Sequence, residues 1–214
     1  MSKSIAVIGL GRFGKKLACT LYDMGSDVMA VDKNPQIVAS ISDNVTYAIE
    51  ADVSNPDIVK GIGLREMDVC VVAMGSDLTS SIMAVMIAKE QGVPLVVAKA
   101  SDERMGQILK RVGADKIIFP EEETGLRTAR TLMSENFLEF FEIDSNLCLL
   151  EIKPKQEWVG KNLIELNLRE KYHVNVVAIK GQSKMHSSID PSRPLEKDTT
   201  RLLILEKKDL NLLS

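Results

Sequence analysis

The first chemistry in this chain lies in the stretch "AVIGLGRFGKKL" at residues 6–17. Gly9, Gly11 and Gly14 follow an apolar run and open a helical pattern. A strand, then G-x-G-x-x-G, then a helix is the arrangement that receives a dinucleotide. The first glycine permits a tight turn, the second lets a phosphate approach the backbone, and the third lets the helix pack closely on the sheet. The helix start offers unpaired N–H groups and a positive dipole end to that phosphate. Asp32 closes the next apolar run at the expected distance, where a carboxylate accepts hydrogen bonds from ribose hydroxyls. The competing assignment leaves the glycines to tight packing alone and Asp32 to capping the next helix.

Other strand ends point to the same crevice, because ligands in such sheets bind beyond the carboxyl ends of the strands. Asp52 follows the third run, Met74 and Gly75 the fourth, Lys99 the fifth and Glu121 the sixth. Asp52 is either an adenine contact or the N-cap of "SNPDIVKGI". Lys99 is either a phosphate or ribose contact or a solvated lysine. Glu121 is either part of the site or an acid placed at a helix start, where the dipole favours it. Acid/base chemistry is thinly supplied. The two histidines, His173 and His186, sit among polar neighbours late in the chain. No Ser-x-x-x-Lys or Tyr-x-x-x-Lys pair occurs, and no His, Asp or Cys group has metal spacing. Such a site is suited to binding a nucleotide and reporting it.

The elements that would position these residues alternate regularly. The runs "SIAVIG", "DVMAVD", "TYAIEAD", "DVCVVAM", "PLVVAKA" and "KIIFPE" are continuously apolar, as strands buried on both faces should be. Between them, Phe13, Leu17, Leu21 and Met24 share one helical face; Leu78, Ile82, Val85 and the stem of Lys89 share another. Gly25 and Gly92 stand as C-terminal caps. This rhythm predicts an α/β fold with a doubly wound, Rossmann-like parallel sheet and right-handed crossovers. Residues 121–136 read as a further helix with Leu126, Ala129 and Met133 inward. "FLEFFEID" (137–144) reads as a connector packed on something apolar. Beyond it a β-α-β-β unit makes a smaller second domain, with strands at 147–153, 175–180 and 201–207 and a turn-rich stretch at 181–194.

Composition sets outer limits. The chain has 214 residues, 45% hydrophobic and 27% charged, which is globular in balance. Aromatic residues are 4% of the total, so the core must be aliphatic. A net charge of −3 gives no reason to expect a nucleic-acid partner. No run of about 18 apolar residues offers a membrane span, and the first run is too short for a secretory signal. Cys19, Cys70 and Cys148 are scattered in apolar patterns and read as small core residues in a reducing, cytoplasmic compartment.

The string "IGLGRFG", followed by "AVD", "AD", "VAM", "KA" and "GADKIIFPE" and then by the β-α-β-β unit, resembles the RCK proteins. These regulators of potassium conductance include the cytosolic regulatory subunits of Ktr/Trk potassium-uptake systems. The resemblance covers nearly the whole chain. It implies a nucleotide-binding RCK N-terminal domain at 1–136, then a crossover segment and an RCK C-terminal ligand and dimerisation domain at 137–214. It implies a non-enzymatic subunit whose homodimers assemble into a homo-octameric ring beneath a membrane potassium-channel-like pore subunit. That placement is cytoplasmic, against the inner face of the cell membrane.

By position, the resemblance puts phosphates on the loop Gly9, Leu10, Gly11, Arg12, Phe13 and Gly14, and the ribose on Asp32. Adenine falls near Asp52 and Met74, with a further nucleotide contact at Lys99. Arg12 reaches the terminal phosphate of the nucleotide in the neighbouring subunit, and Glu121 approaches a divalent cation or the nucleotide across the dimer. The implied ligands are ATP and ADP, with NAD(H) in some members. Ktr-type members also bind cyclic di-AMP, for which the matching positions are Leu163, Ile164, Asn167, Arg169, Asn175, Val176 and Pro191. Two departures stand out: Asn167 replaces a common acid, and the last strand ends "LLILEKKD" without the usual glycine. The competing functions are an NAD-dependent oxidoreductase on the same fold and a regulatory module of a different cation transporter.

Overall fold

The computed structural model describes residues 2–55, 58, 61–75, 77–132, 137–181 and 184–213. The chain divides into two units, Met1–Glu121 and Glu122–Ser214.

In the first unit six strands form a parallel sheet: β1 (Ser4–Ile8), β2 (Asp27–Asp32), β3 (Tyr47–Glu50), β4 (Val69–Val72), β5 (Leu95–Lys99) and β6 (Lys116–Ile118). Their order is β3-β2-β1-β4-β5-β6, the doubly wound order that reverses between β1 and β4. Alternate side chains along each strand enter opposite apolar clusters. Ala6, Ile8, Met29, Val31, Cys70 and Val72 fill one; Ile5, Val7, Val28, Ala30 and Val71 fill the other. Burial on both faces is the reason the central strands β1, β2 and β4 are continuously apolar, whereas the edge strands β3 and β6 are half-buried, with Tyr47 60% exposed.

Helix Arg12–Asp23 lays Phe13, Leu17 and Leu21 on the second cluster around the buried Ala18. Met24, expected on that face, is 76% exposed, because the helix ends at Asp23 and the chain turns away. Helix Leu78–Glu90 buries Ser80, Ser81, Ala84, Val85, Ile87 and Ala88. Leu78, expected inward, is exposed, since that buried face is set by the small residues that approach the sheet. The N–H of Gly25 returns to the carbonyl of Tyr22, and that of Gly92 to Lys89, so both glycines do close helices.

The second unit carries a five-stranded antiparallel sheet of order β10-β9-β11-β8-β7. Its strands are β7 (Phe137–Glu142), β8 (Leu147–Ile152), β9 (Asn175–Lys180), β10 (Met185–His186) and β11 (Thr200–Glu206). The second unit departs from the sequence expectation in two places. The segment 137–144 is largely the edge strand β7, not a connector; Phe140 enters the core while Phe141 stays 43% exposed. The turn-rich stretch also contributes β10, paired antiparallel with β9. The core gathers Phe140, Cys148, Leu150, Trp158, Leu166 and Leu203 with their neighbours.

Helix Pro120–Leu132 is present, but Leu126 and Ala129, expected inward, are exposed; Met133 lies outside the described residues. None of the three cysteines is in a disulfide among the described residues; Cys70 and Cys148 are buried and Cys19 is half-buried against the second cluster. Burial pushes the Cys70 thiol up to about 12, so it behaves as an inert core residue.

Candidate functional site

A cavity of about 730 Å³ opens beyond the carboxyl ends of β1, β2, β4 and β5, at the point where the strand order reverses. Its glycines are explained by two different causes. Gly9 has φ +91°, and a Cβ there would stand 2.5 Å from Met74 Cγ. A Cβ at Gly14 would strike the carbonyl oxygen of Gly9. Gly9 is required by its left-handed backbone and Gly14 by backbone packing. Gly11 is not: its φ is −60° and its ψ −173°, and a Cβ there meets nothing within 4 Å. Gly11, which lines the cavity, is also the N-cap of helix Arg12–Asp23 and supplies no side-chain cap for the first-turn N–H groups.

Asp32 fixes this loop. Its Oδ2 accepts the Leu10 N–H at 2.7 Å and its Oδ1 accepts the Asn34 N–H at 2.9 Å. The cap of the next helix is Asn34, whose side chain accepts from Gln36 and Ile37. Capping by Asp32 is therefore ruled out, and its carboxylate lines the cavity. Asp52 is exposed and accepts from the Ser54 hydroxyl at 2.7 Å and the Ser54 N–H at 3.0 Å. These bonds hold its carboxyl below the usual 3.8. Of the stretch 54–62 that Asp52 would cap, residues 56, 57, 59 and 60 lie outside the described residues.

Lys99 is not a solvated lysine. Its side chain is 13% exposed and its Nζ lies 2.5 Å from Glu121 Oε1. The hydrogen bond from Lys99 holds the Glu121 carboxyl below its ordinary value. Met74 lines the cavity, and its carbonyl accepts the hydroxyl of the buried Ser81 at 2.7 Å.

Gly9, Gly11, Asp32, Asp52, Met74, Lys99 and Glu121 thus share one wall. Leu10 is buried in the core, presenting its N–H to Asp32, and Phe13 is half-buried with its ring centroid 5.8 Å from Lys99 Nζ. Arg12 is exposed and has no ion pair among the described residues.

Sequence reasoning missed Lys33, Asp77, Ser80 and Ser101, which also line the cavity. Asp77 was findable, since it precedes an apolar helix by one residue. It caps helix Leu78–Glu90 through the Ser80 N–H and hydroxyl, which hold its carboxyl below 3.8. The wall therefore carries four carboxylates, Asp32, Asp52, Asp77 and Glu121, against the ammonium groups of Lys33 and Lys99. Polyphosphate would need added positive charge to bind here well. Among the described residues no three His, Cys, Asp or Glu side chains gather as a metal site, so a cation at Glu121 would draw other ligands from the nucleotide or a second copy.

The second set of expected positions lies in the other unit. Leu163 and Val176 are half-buried on one apolar cluster. The Leu163 N–H donates to the Pro191 carbonyl at 3.0 Å, bringing those two together. Ile164 is 66% exposed, and Arg169, Asn175 and Pro191 are exposed too. Asn167 has φ +44° between helices Leu163–Leu166 and Leu168–Tyr172. Asparagine enters that left-handed region more readily than most residues, which accounts for its place there.

A glycine loop at a helix start, an acid on the second strand and a crevice at the switch point define a Rossmann-type nucleotide-binding protein. The TrkA-N domain family model matches residues 5–120. The Ktr system potassium uptake protein A of Vibrio alginolyticus is 38% identical over 194 residues, 91% of this chain and 88% of that protein. The Ktr system potassium uptake protein C of Bacillus subtilis is 36% identical over 180 residues, 84% of this chain and 81% of that protein. Among solved structures, the GsuK RCK domain superposes on the whole chain with a TM-score of 0.68 at 12% identity. The chain spans 47% of that structure's length, and the likeness shows the shared fold. A related structure is the GsuK channel bound to NAD, with a TM-score of 0.67 at 12% identity. The chain belongs to the Ktr/Trk family of RCK-domain potassium-uptake regulatory proteins.

Proposed function

We propose that this chain is a cytoplasmic, nucleotide-sensing regulatory subunit that gates a membrane potassium-uptake channel or transporter and catalyses no reaction of its own. The observation that carries this reading is Gly11: nothing in the fold requires a glycine there, yet it faces open space at a helix N-terminus beside Asp32. A phosphate resting against the backbone is the occupant that needs it. The cavity volume of about 730 Å³ suits a nucleotide.

The ligand in this reading is ATP or ADP, with NAD(H) as a further candidate. Phosphates lie on the Gly9–Gly14 loop, ribose on Asp32 and adenine near Asp52 and Met74. The excess of carboxylates on the wall supports a role for extra cationic partners of a terminal phosphate: Arg12 from a neighbouring copy, and a divalent cation at Glu121. An ATP-dependent change of shape then passes through a homo-octameric ring to the pore subunit. Residues 1–136 serve as the nucleotide-binding domain and 137–214 as crossover, dimerisation and second-ligand domain. Cyclic di-AMP is the second ligand, held at a dimer interface by the apolar Leu163, Ile164 and Val176 with Pro191, and by Asn167, Arg169 and Asn175.

Calorimetric titration with ATP, ADP, NADH and cyclic di-AMP tests these assignments separately. Saturable binding of an adenine nucleotide with no turnover of NADH is the expected result. NADH turnover with a small substrate would favour an oxidoreductase instead.

A further inference from the structure

Lys99 is the last residue of β5 and lies in register with Ile118 of β6. Its stem is confined on two sides. A Cβ at Gly75 would stand 2.9 Å from Lys99 Cε and 3.3 Å from Nζ. On the other side the ring of Phe13 lies with its centroid 5.8 Å from Nζ. Phe13 belongs to the first turn of helix Arg12–Asp23, the turn whose N–H groups lack a capping side chain. The ammonium therefore sits close to where a phosphate would approach that turn. What it holds is Glu121, at 2.5 Å. The two partners differ in freedom: the Lys99 side chain is 13% exposed and that of Glu121 68%. The lysine is fixed, and the carboxylate can leave.

We propose that Glu121 is a built-in competitor for a nucleotide's distal phosphate. Carboxylate and phosphate contend for the single Lys99 ammonium, whose other sides are covered by Gly75 and Phe13, so a phosphate that takes Lys99 releases Glu121. This inference rests on the nucleotide-sensing reading and goes beyond it. It makes Glu121 a determinant of how tightly phosphorylated nucleotides bind, and it ties phosphate occupancy to the second residue of helix Pro120–Leu132. A ligand without a distal phosphate, such as adenosine, leaves the pair intact.

The test is calorimetric titration of the full chain with ADP and with adenosine, in EDTA so that no divalent cation bridges the groups. Glu121→Gln should bind ADP about fivefold tighter than the unmodified chain, the worth of a well-formed exposed ion pair. Adenosine affinity should stay within about twofold. In a Lys99→Met background the same Glu121→Gln change should gain less than about twofold, because the contested group is gone. Unchanged or weaker ADP binding by Glu121→Gln overturns the proposal, as does a gain that persists without Lys99 or extends equally to adenosine. If the unmodified chain binds none of ADP, ATP and NADH, the nucleotide reading fails and the competition with it. If it binds ADP and Glu121→Gln gains nothing, the competition alone fails.

Discussion

Asp32 does two jobs with one carboxylate. It already accepts the N–H groups of Leu10 and Asn34, so the glycine loop is set before any ligand arrives. The same residue lines the cavity, and a carboxylate has acceptor capacity beyond these two bonds. Asp32→Ala should weaken ATP and ADP together by at least about tenfold, since a charge-assisted hydrogen bond contributes roughly 1.5–3 kcal/mol. It should also lower the melting temperature, because the Leu10 N–H is left without its acceptor. Unchanged affinity in a folded variant would place the ribose elsewhere. Arg169 in the second unit makes a cleaner probe. It is exposed and holds no ion pair among the described residues. Arg169→Ala should change stability by no more than about 0.5 kcal/mol and leave ATP affinity intact, while cyclic di-AMP binding disappears from the titration. Retained cyclic di-AMP binding would remove Arg169 from that site.

At the scale of elements, helix Leu78–Glu90 depends on its cap. Asp77 accepts from the Ser80 N–H and hydroxyl, and Asp77→Ala should destabilise the first unit by about 1 kcal/mol at neutral pH. The same bonds hold the folded carboxyl below its usual 3.8. The stabilisation is therefore complete above that value and is lost as the pH falls through the lower, folded one. Melting curves of the variant and the unmodified chain should stay apart from pH 7 down to the usual carboxylate value of 3.8 and draw together only as the pH falls below it. A gap independent of pH would show that the charge plays no part.

The parallel sheet was legible because its central strands are buried on both faces and so lack any polar alternation. The edge strand β7 was not, because three of its six residues are Phe and two are Glu, a mixture that reads as a sticky linker. The inward faces of the helices were only partly legible. At Leu78 small residues win the buried side, and Leu126 stays 44% exposed on the wall of a cavity it shares with Phe140 and Phe141. In the site, glycine spacing and strand ends located most of the wall. The Lys99–Glu121 pair was out of reach, since its partners lie 22 positions apart and meet only when β5 and β6 lie side by side.

For the whole molecule, the family places this chain beside the Ktr system potassium uptake proteins, and the cavity at the switch point is where the proposed nucleotide would sit. The account stands or falls on a phosphate meeting the backbone at Gly11. A methyl group there encounters nothing in the fold, so Gly11→Ala should change stability by no more than about 1 kcal/mol, the range of an N-cap replacement. The same methyl would occupy the space a phosphate needs. The decisive measurement is therefore calorimetric titration of ADP into the unmodified chain and into Gly11→Ala, side by side. The account predicts saturable binding by the first and at least a tenfold loss in the second, a penalty above about 1.4 kcal/mol. Equal ADP affinity in the two proteins, or no binding by the unmodified chain, would contradict it.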